Sequence, residues 1–127
     1  MVPQSQPTKS ETFETRDAID LSFVFPCLNE EATLATCIQQ VNESLRSSGV
    51  RYEIVVADNG SQDSSREIAA SLGCRVVPVA QRGYGAALRA GIEAGHGTYV
   101  MFADSDNTYL YEDAARLYAA AHEHSAD

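Results

Sequence analysis

Leu21-Ser22-Phe23-Val24-Phe25-Pro26-Cys27-Leu28-Asn29-Glu30-Glu31, followed by Leu34, Ile38, Val41 and Leu45, is the stretch on which the fold turns. Residues 21–25 are apolar apart from Ser22, as in a strand covered on both faces, and Pro26 ends the run. The four later apolar residues recur at i, i+4, i+7 and i+11, so one apolar stripe runs along a helix ending near Gly49. A buried strand leading through a polar loop into an amphipathic helix is one β-α unit of a parallel sheet.

The same alternation continues outward. A second strand is expected at 52–57, then a turn at Asp58-Asn59-Gly60-Ser61 and a short helix capped by Asp63 or Ser64, carrying Ile68, Ala69 and Leu72 and closed by Gly73. A third strand at 75–79 and the loop 81–85 precede an alanine-rich helix at 86–94, which Gly95 and Gly97 end. A fourth strand at 99–103 leads to Asp104-Ser105-Asp106-Asn107-Thr108 and a last helix, 111–124, with Ala114, Leu117, Tyr118 and Ala121 on one face. The expected fold is α/β, a Rossmann-like parallel sheet with helices on both faces and right-handed crossovers. Residues 1–20 are polar, hold two of the four prolines and show no period, so they read as a flexible leader to a domain at 21–127.

Length and composition agree with one globular domain: 127 residues, 44% hydrophobic and 21% charged. The net charge of −9, with Lys9 the only lysine, argues against nucleic acid as a partner, because phosphate backbones are bound by clustered Lys and Arg. The charge is uneven, since residues 104–127 carry one base against six acids. Either a solvated acidic helix or a cation site at its front edge accounts for that excess. Cys27, Cys37 and Cys74 are odd in number with no C-x-x-C spacing, which suggests core thiols of an intracellular protein rather than disulfides or zinc. The N-terminus lacks the basic and then apolar pattern of a signal peptide, and no apolar run nears the ~18 residues of a membrane span. A cytoplasmic chain is the expectation, with any membrane association coming through other segments or partners.

In open sheets of this kind ligands bind beyond the carboxyl ends of the strands, where strand order reverses. Three polar loops fall at such ends: Asn29-Glu30-Glu31, Asp58-Asn59-Gly60-Ser61 and Asp104-Ser105-Asp106. Asp104 and Asp106 could aim two short carboxylates at one hard cation, Mg²⁺ or Mn²⁺, which two carboxylates usually hold together with substrate phosphates. Such an ion would let an acidic protein take an anionic diphosphate. Alternatively the loop is a polar turn in which Asp104 caps the last helix. Asp58 could make an Asx turn with Gly60 and Ser61 or accept a hydrogen bond from a nucleotide. Glu30 and Glu31 could be first-turn helix acids. Gly83 and Gly85 let the backbone approach a ligand and Arg82 or Arg89 could pair with a phosphate, but Leu88 stands where a dinucleotide fingerprint needs its third Gly. His96, His122 and His124 show no ligand spacing.

Four segments together carry a resemblance: 25–31 (FPCLNEE), 56–65 (VADNGSQDSS), 83–91 (GYGAALRAG) and 102–106 (FADSD). They resemble the donor half of a family 2 glycosyltransferase with the GT-A fold, in the flavour of a dolichyl-phosphate sugar synthase by Asp106-Asn107-Thr108-Tyr109. The resemblance covers about residues 20–112. It implies inverting transfer of a sugar from a UDP- or GDP-linked donor, with a lipid phosphate as one class of acceptor. By the resemblance Pro26, Leu28 and Glu30 border the nucleoside and Asp58 holds the base, with Gly83 and Asp104 completing the nucleotide-binding set, while Asp104 and Asp106 hold the divalent ion. Asn59 stands where a second Asp is common, and the Pro often found near Tyr109 is missing.

Members of the family continue with segments that bind the acceptor and supply a general base. The expectation is therefore an incomplete domain without an assigned base, either a fragment, a chain completed by another, or a silent nucleotide-sugar-binding module. The same Asp104-Ser105-Asp106-Asn107-Thr108 also spells the D-x-D-x-T of haloacid dehalogenase phosphatases, but that motif normally opens its domain.

Overall fold

A computed structural model describes residues 2–3, 18–106 and 111–125. Its strands are β1 (Val2–Pro3), β2 (Leu21–Cys27), β3 (Tyr52–Asp58), β4 (Arg75–Pro78) and β5 (Tyr99–Phe102). Its helices are α1 (Leu34–Arg46), α2 (Ser65–Ser71), α3 (Tyr84–Ala94) and α4 (Ala114–Ser125), the last entered through a 3-10 turn at Tyr111–Asp113. All seven residues of β2 are buried, as a continuous apolar run predicts for a central strand.

The sheet order is β1-β5-β2-β3-β4. β2 pairs in parallel with β3, from Leu21 opposite Tyr52 to Cys27 opposite Asp58, and with β5 on its other side; β4 adds in parallel to β3. From β2 through α1 and α2 to β4 the chain steps one way along the sheet. The β4–α3–β5 connection then carries it back across β3 and β2, with α3 on the opposite face, as a constant crossover hand requires. The reversal falls between β2 and β5.

Alternate residues of β2 feed two cores. Leu21, Phe23, Phe25 and Cys27 pack with Leu34, Cys37, Ile38, Val41 and Leu45 of α1, with Ala69 of α2, and with Tyr111, Ala114 and Tyr118. Val24 joins Val55, Val100, Val77 and Ile92 under α3. The three cysteines are buried and form no disulfide among the described residues. Among the described residues no helix is long and apolar enough to cross a membrane.

Four details differ from the sequence expectations, the first being that Pro26 does not end the first strand: β2 runs on through Pro26 to Cys27, opposite Ala57 and Asp58 and beyond the last β5 pair, Val24–Phe102. Val2–Pro3, inside the stretch read as a leader, forms an antiparallel edge strand on β5; two residues are too few to show a period, and an edge tolerates the N–H that Pro lacks. Helix α3 starts at Tyr84 rather than 86, because Gly83 at φ +116° turns the chain directly into it. On α4, Leu117 is exposed at 47%, while the buried line runs through Ala114 and Tyr118.

Candidate functional site

At the carboxyl end of β2 the chain leaves the sheet through Leu28 and Asn29, the latter at φ +53°, a conformation that Asn adopts more readily than most residues. Asn29 N–H donates to Ser61 Oγ (2.9 Å), and its Oδ1 accepts the N–H of Gln62 (2.8 Å). Glu30 N–H donates to Ser65 Oγ (2.9 Å) and Glu31 N–H to Asp63 Oδ2 (3.1 Å), while Glu31 Oε2 accepts Ser64 N–H (2.9 Å). The loops after β2 and β3 are thereby zipped together. Helix α1 begins only at Leu34, so neither Glu30 nor Glu31 is a first-turn acid of it, and Glu31 serves the start of α2 instead. Asp63 accepts Ser65 N–H (2.9 Å), and its hydrogen bonding to Ser65 holds its carboxyl below the usual range.

Asp58 ends β3 and is buried, with its carboxylate turned into its own loop as an Asx turn. It does not line the cleft; Asn59, Gly60 and Gln62 of the loop it supports do. The acceptor role that the resemblance assigns to Asp58 therefore falls on a side chain that lies beneath the lining.

After β5, Ala103 continues the pairing by donating its N–H to Val24 O (3.2 Å). The next backbone carbonyls are held from inside: Asp104 O accepts the Tyr111 hydroxyl and Ser105 O accepts the Thr33 hydroxyl. With the main chain fixed this way, Asp104, Ser105 and Asp106 line an open cleft of about 860 Å³ at the carboxyl ends of the strands. Pro26, Leu28 and Glu30 line it from β2, and Arg82, Gly83 and Tyr84 from the loop before α3. Six sequence-predicted residues thus meet in one cleft: Pro26, Leu28, Glu30, Gly83, Asp104 and Asp106. Arg89 is exposed and outside the lining, as are His96 and His122. Asn107, Thr108 and Tyr109, and the side chain of His124, lie outside what is described.

Thr33 and Tyr111 have no counterpart in the sequence reading. The sequence puts Tyr111 only at the start of the last helix, and nothing in its spacing announces a bond to Asp104. The alternative in which Asp104 caps that helix does not hold, because α4 starts at Ala114 and Asp104 belongs to the cleft.

Three carboxylates, Glu30, Asp104 and Asp106, gather in the cleft. Burial, then the charges of Asp106 and Asp104, push the Glu30 carboxyl above its ordinary value. Between the two aspartates the Ser105 hydroxyl is buried with no hydrogen-bond partner. Among the described residues no three His, Cys, Asp or Glu side chains are grouped to hold a metal ion alone. Two carboxylates whose shell is completed by a ligand's oxygens are the donor set that suits Mg²⁺ or Mn²⁺ rather than a softer metal.

A parallel sheet with helices on both faces and a polar cleft at its switch point defines a Rossmann-like domain of the GT-A kind. The sequence profile of the family described as Glycosyl transferase family 2 matches residues 22–127, and the chain belongs to that family. It is 40% identical over 97 residues to the low-salt glycan biosynthesis hexosyltransferase Agl6 of Haloferax volcanii, covering 76% of this chain and 23% of the relative. It is also 40% identical over 107 residues to the undecaprenyl-phosphate 4-deoxy-4-formamido-L-arabinose transferase of Pseudomonas paraeruginosa, 78% of this chain and 32% of that protein. The chain thus spans about a quarter to a third of these relatives.

Among solved structures, it resembles glucosyl-3-phosphoglycerate synthase from Mycobacterium tuberculosis in complex with Mn²⁺, UDP and glucosyl-3-phosphoglycerate. The TM-score is 0.60 at 29% identity, over 83% of this chain and 40% of that one. The same enzyme with Mg²⁺ and UDP gives a TM-score of 0.60 at 31% identity, over 81% and 39%. Family membership sets the phosphatase reading of the D-x-D-x-T motif aside.

Proposed function

We propose that the chain is the donor-binding part of an inverting glycosyltransferase that takes a UDP- or GDP-linked sugar with Mg²⁺ or Mn²⁺. The observation that carries this reading is the meeting of Leu28–Glu30, Arg82–Tyr84 and Asp104–Asp106 in one cleft at the sheet's switch point. Asp104 and Asp106 would hold the ion, whose charge offsets that of the diphosphate as it departs. Pro26, Leu28 and Glu30 would border the nucleoside, and Gly83, lacking a side chain, would let the backbone come close to it. Asp58 would act from below, by holding the loop that carries Asn59 to Gln62.

The acceptor class that fits is a polyprenyl phosphate, supported by the likeness to the undecaprenyl-phosphate transferase. In the transfer an acceptor oxygen attacks the anomeric carbon as the bond to the departing diphosphate breaks. An ionised phosphate oxygen brings no proton to remove, whereas a hydroxyl acceptor would need a base to take its proton. No residue of this chain is assigned to that base.

Titration calorimetry tests the reading. UDP or GDP is expected to bind in Mn²⁺, to lose most of its affinity in EDTA, and to weaken by about tenfold or more in D104N and D106N, as when a charge-assisted contact is removed. No heat from either nucleotide in Mn²⁺ overturns it. Sugar transfer by this chain to an added polyprenyl phosphate separates an active enzyme from a module that only binds the donor.

A further inference from the structure

Asn59 follows Asp58 at the end of β3 and faces the cleft. Its backbone N–H donates to Cys27 O (2.9 Å), which fastens it to β2. Its side chain reaches the other way, to the segment between β4 and α3. There Nδ2 donates to Gln81 O (2.7 Å) and Val79 O (3.3 Å), and Oδ1 accepts the N–H of Gly83 (2.8 Å).

The match is complete in kind: two donors meet two carbonyls, and one acceptor meets one N–H. Among side chains of this length only a primary amide offers both. The bond to Gly83 is the significant one. Gly83 sits at φ +116° immediately before α3, its carbonyl accepts the first helical bond of α3 from Ala87 (3.1 Å), and no side chain caps the helix start. The direction in which α3 begins, and with it the wall formed by Arg82, Gly83 and Tyr84, is therefore set from a neighbouring strand by one amide.

We propose that Asn59 is a positioning residue, a latch that holds the Arg82–Tyr84 wall in place for the nucleotide, and that aspartate, though common here in the family, is in this chain a worse replacement than alanine, because the carbonyls of Val79 and Gln81 converge on the Asn59 amide nitrogen. Aspartate keeps the shape and the acceptor for Gly83 but loses both donors and sets a carboxylate oxygen against two carbonyl oxygens. Alanine only removes bonds, and at this half-buried position water can satisfy the groups it vacates. The order of damage, aspartate worse than alanine, is the reverse of what lost packing would produce.

The nucleotide arm of the proposal rests on the donor-binding reading; the latch arm does not. Amide hydrogen exchange on the ligand-free wild type, N59A and N59D is expected to quicken at Ala87, the first amide bonded within α3, by about tenfold or more in N59D, the equivalent of one to two lost hydrogen bonds, and by less in N59A. The Gly83 amide is left out of the order because alanine removes its acceptor directly. Amides of β2 and α1 keep the wild-type rate. Calorimetry with UDP and GDP in Mn²⁺ is expected to follow the same order. Unchanged exchange at Ala87 in N59D, faster exchange at Ala87 in N59A than in N59D, or equal acceleration throughout β2 and α1 overturns the latch. If the wild type binds neither nucleotide, the donor reading falls, and the exchange order alone still decides the latch.

Discussion

Asp58 holds its loop through Oδ2, which accepts the N–H groups of Gly60 (3.1 Å) and Ser61 (2.9 Å), and Oδ1, which accepts the Ser61 hydroxyl (2.5 Å). Arg66 Nε stands 3.8 Å from Oδ2. D58A would leave these donors without their acceptor in a buried setting and is expected to lower stability by about 2–4 kcal/mol, with D58N recovering part because its amide oxygen still accepts. Urea unfolding of the two variants checks this, and an undiminished midpoint in D58A would show that the loop does not depend on the carboxylate. This local arrangement was legible in the sequence, since an Asx turn needs only Gly60 and Ser61 close behind an aspartate. The bonds that shape the rest of the cleft were not: Asn29 meets Gln62 across 33 residues and Thr33 meets Ser105 across 72. Periodicity carries no information about polar pairs so far apart, because they depend on which strand ends the topology brings together.

At the scale of elements, α1 and α3 show the two extremes of legibility. Helix α1 declared itself: Leu34, Ile38, Val41 and Leu45 are fully buried as expected, with Cys37 beside them. Helix α3 fully buries only Ala87 and Gly91, one turn apart, and packs Ile92 only partly buried against the core, so its inner face is thinly marked by large residues. The physical reason is closeness to the sheet. A Cβ built on Gly91 would lie 2.4 Å from Val24 Cγ1 and 3.2 Å from Ala57 Cβ, both on strands beneath the helix. In an exposed helix, Gly→Ala adds up to about 1 kcal/mol of stability. Here the clash dominates, and G91A is expected to destabilise the chain by about 1–3 kcal/mol, the usual range for overpacking a close-packed core. Thermal unfolding checks the sign, and a raised Tm would show that α3 can lift away freely. Since α3 starts from Gly83 at the cleft wall, a shift of this helix would also reach the site.

At the scale of the whole molecule, the two ends of the sheet differ in how their acids are held. The carboxyl end gathers Glu30, Asp104 and Asp106, and there burial, then the charges of the two aspartates, raise the Glu30 carboxyl. The amino end holds its acids in pairs, Asp20 with Arg51 and, most thoroughly, Glu53. Its Oε2 accepts Ser22 Oγ (2.6 Å) and His96 N–H (2.7 Å), and its Oε1 accepts Arg75 Nη2 (3.0 Å) and Nε (3.2 Å), joining β2, β3, β4 and the segment after α3. Burial alone would raise the Glu53 carboxyl, but the bonds from His96, Ser22 and Arg75 outweigh it and hold the group below its ordinary value. A carboxyl lowered in the fold binds fewer protons there than in the unfolded chain. Its contribution is therefore complete above the ordinary glutamate range and is lost as pH falls through the lowered value. E53Q is expected to lose about 1–3 kcal/mol at neutral pH, as hydrogen bonds to a charged group are worth, and to show a shallower fall of Tm on acidification than the wild type. Nucleotide binding, measured well below the transition, is expected to stay within about twofold of wild type, because substitutions at distant and unshared sites act independently. Parallel Tm–pH curves for the two chains would show that Glu53 carries none of the acid dependence. A lost nucleotide affinity would show that the paired end and the charged end of the sheet are one coupled unit.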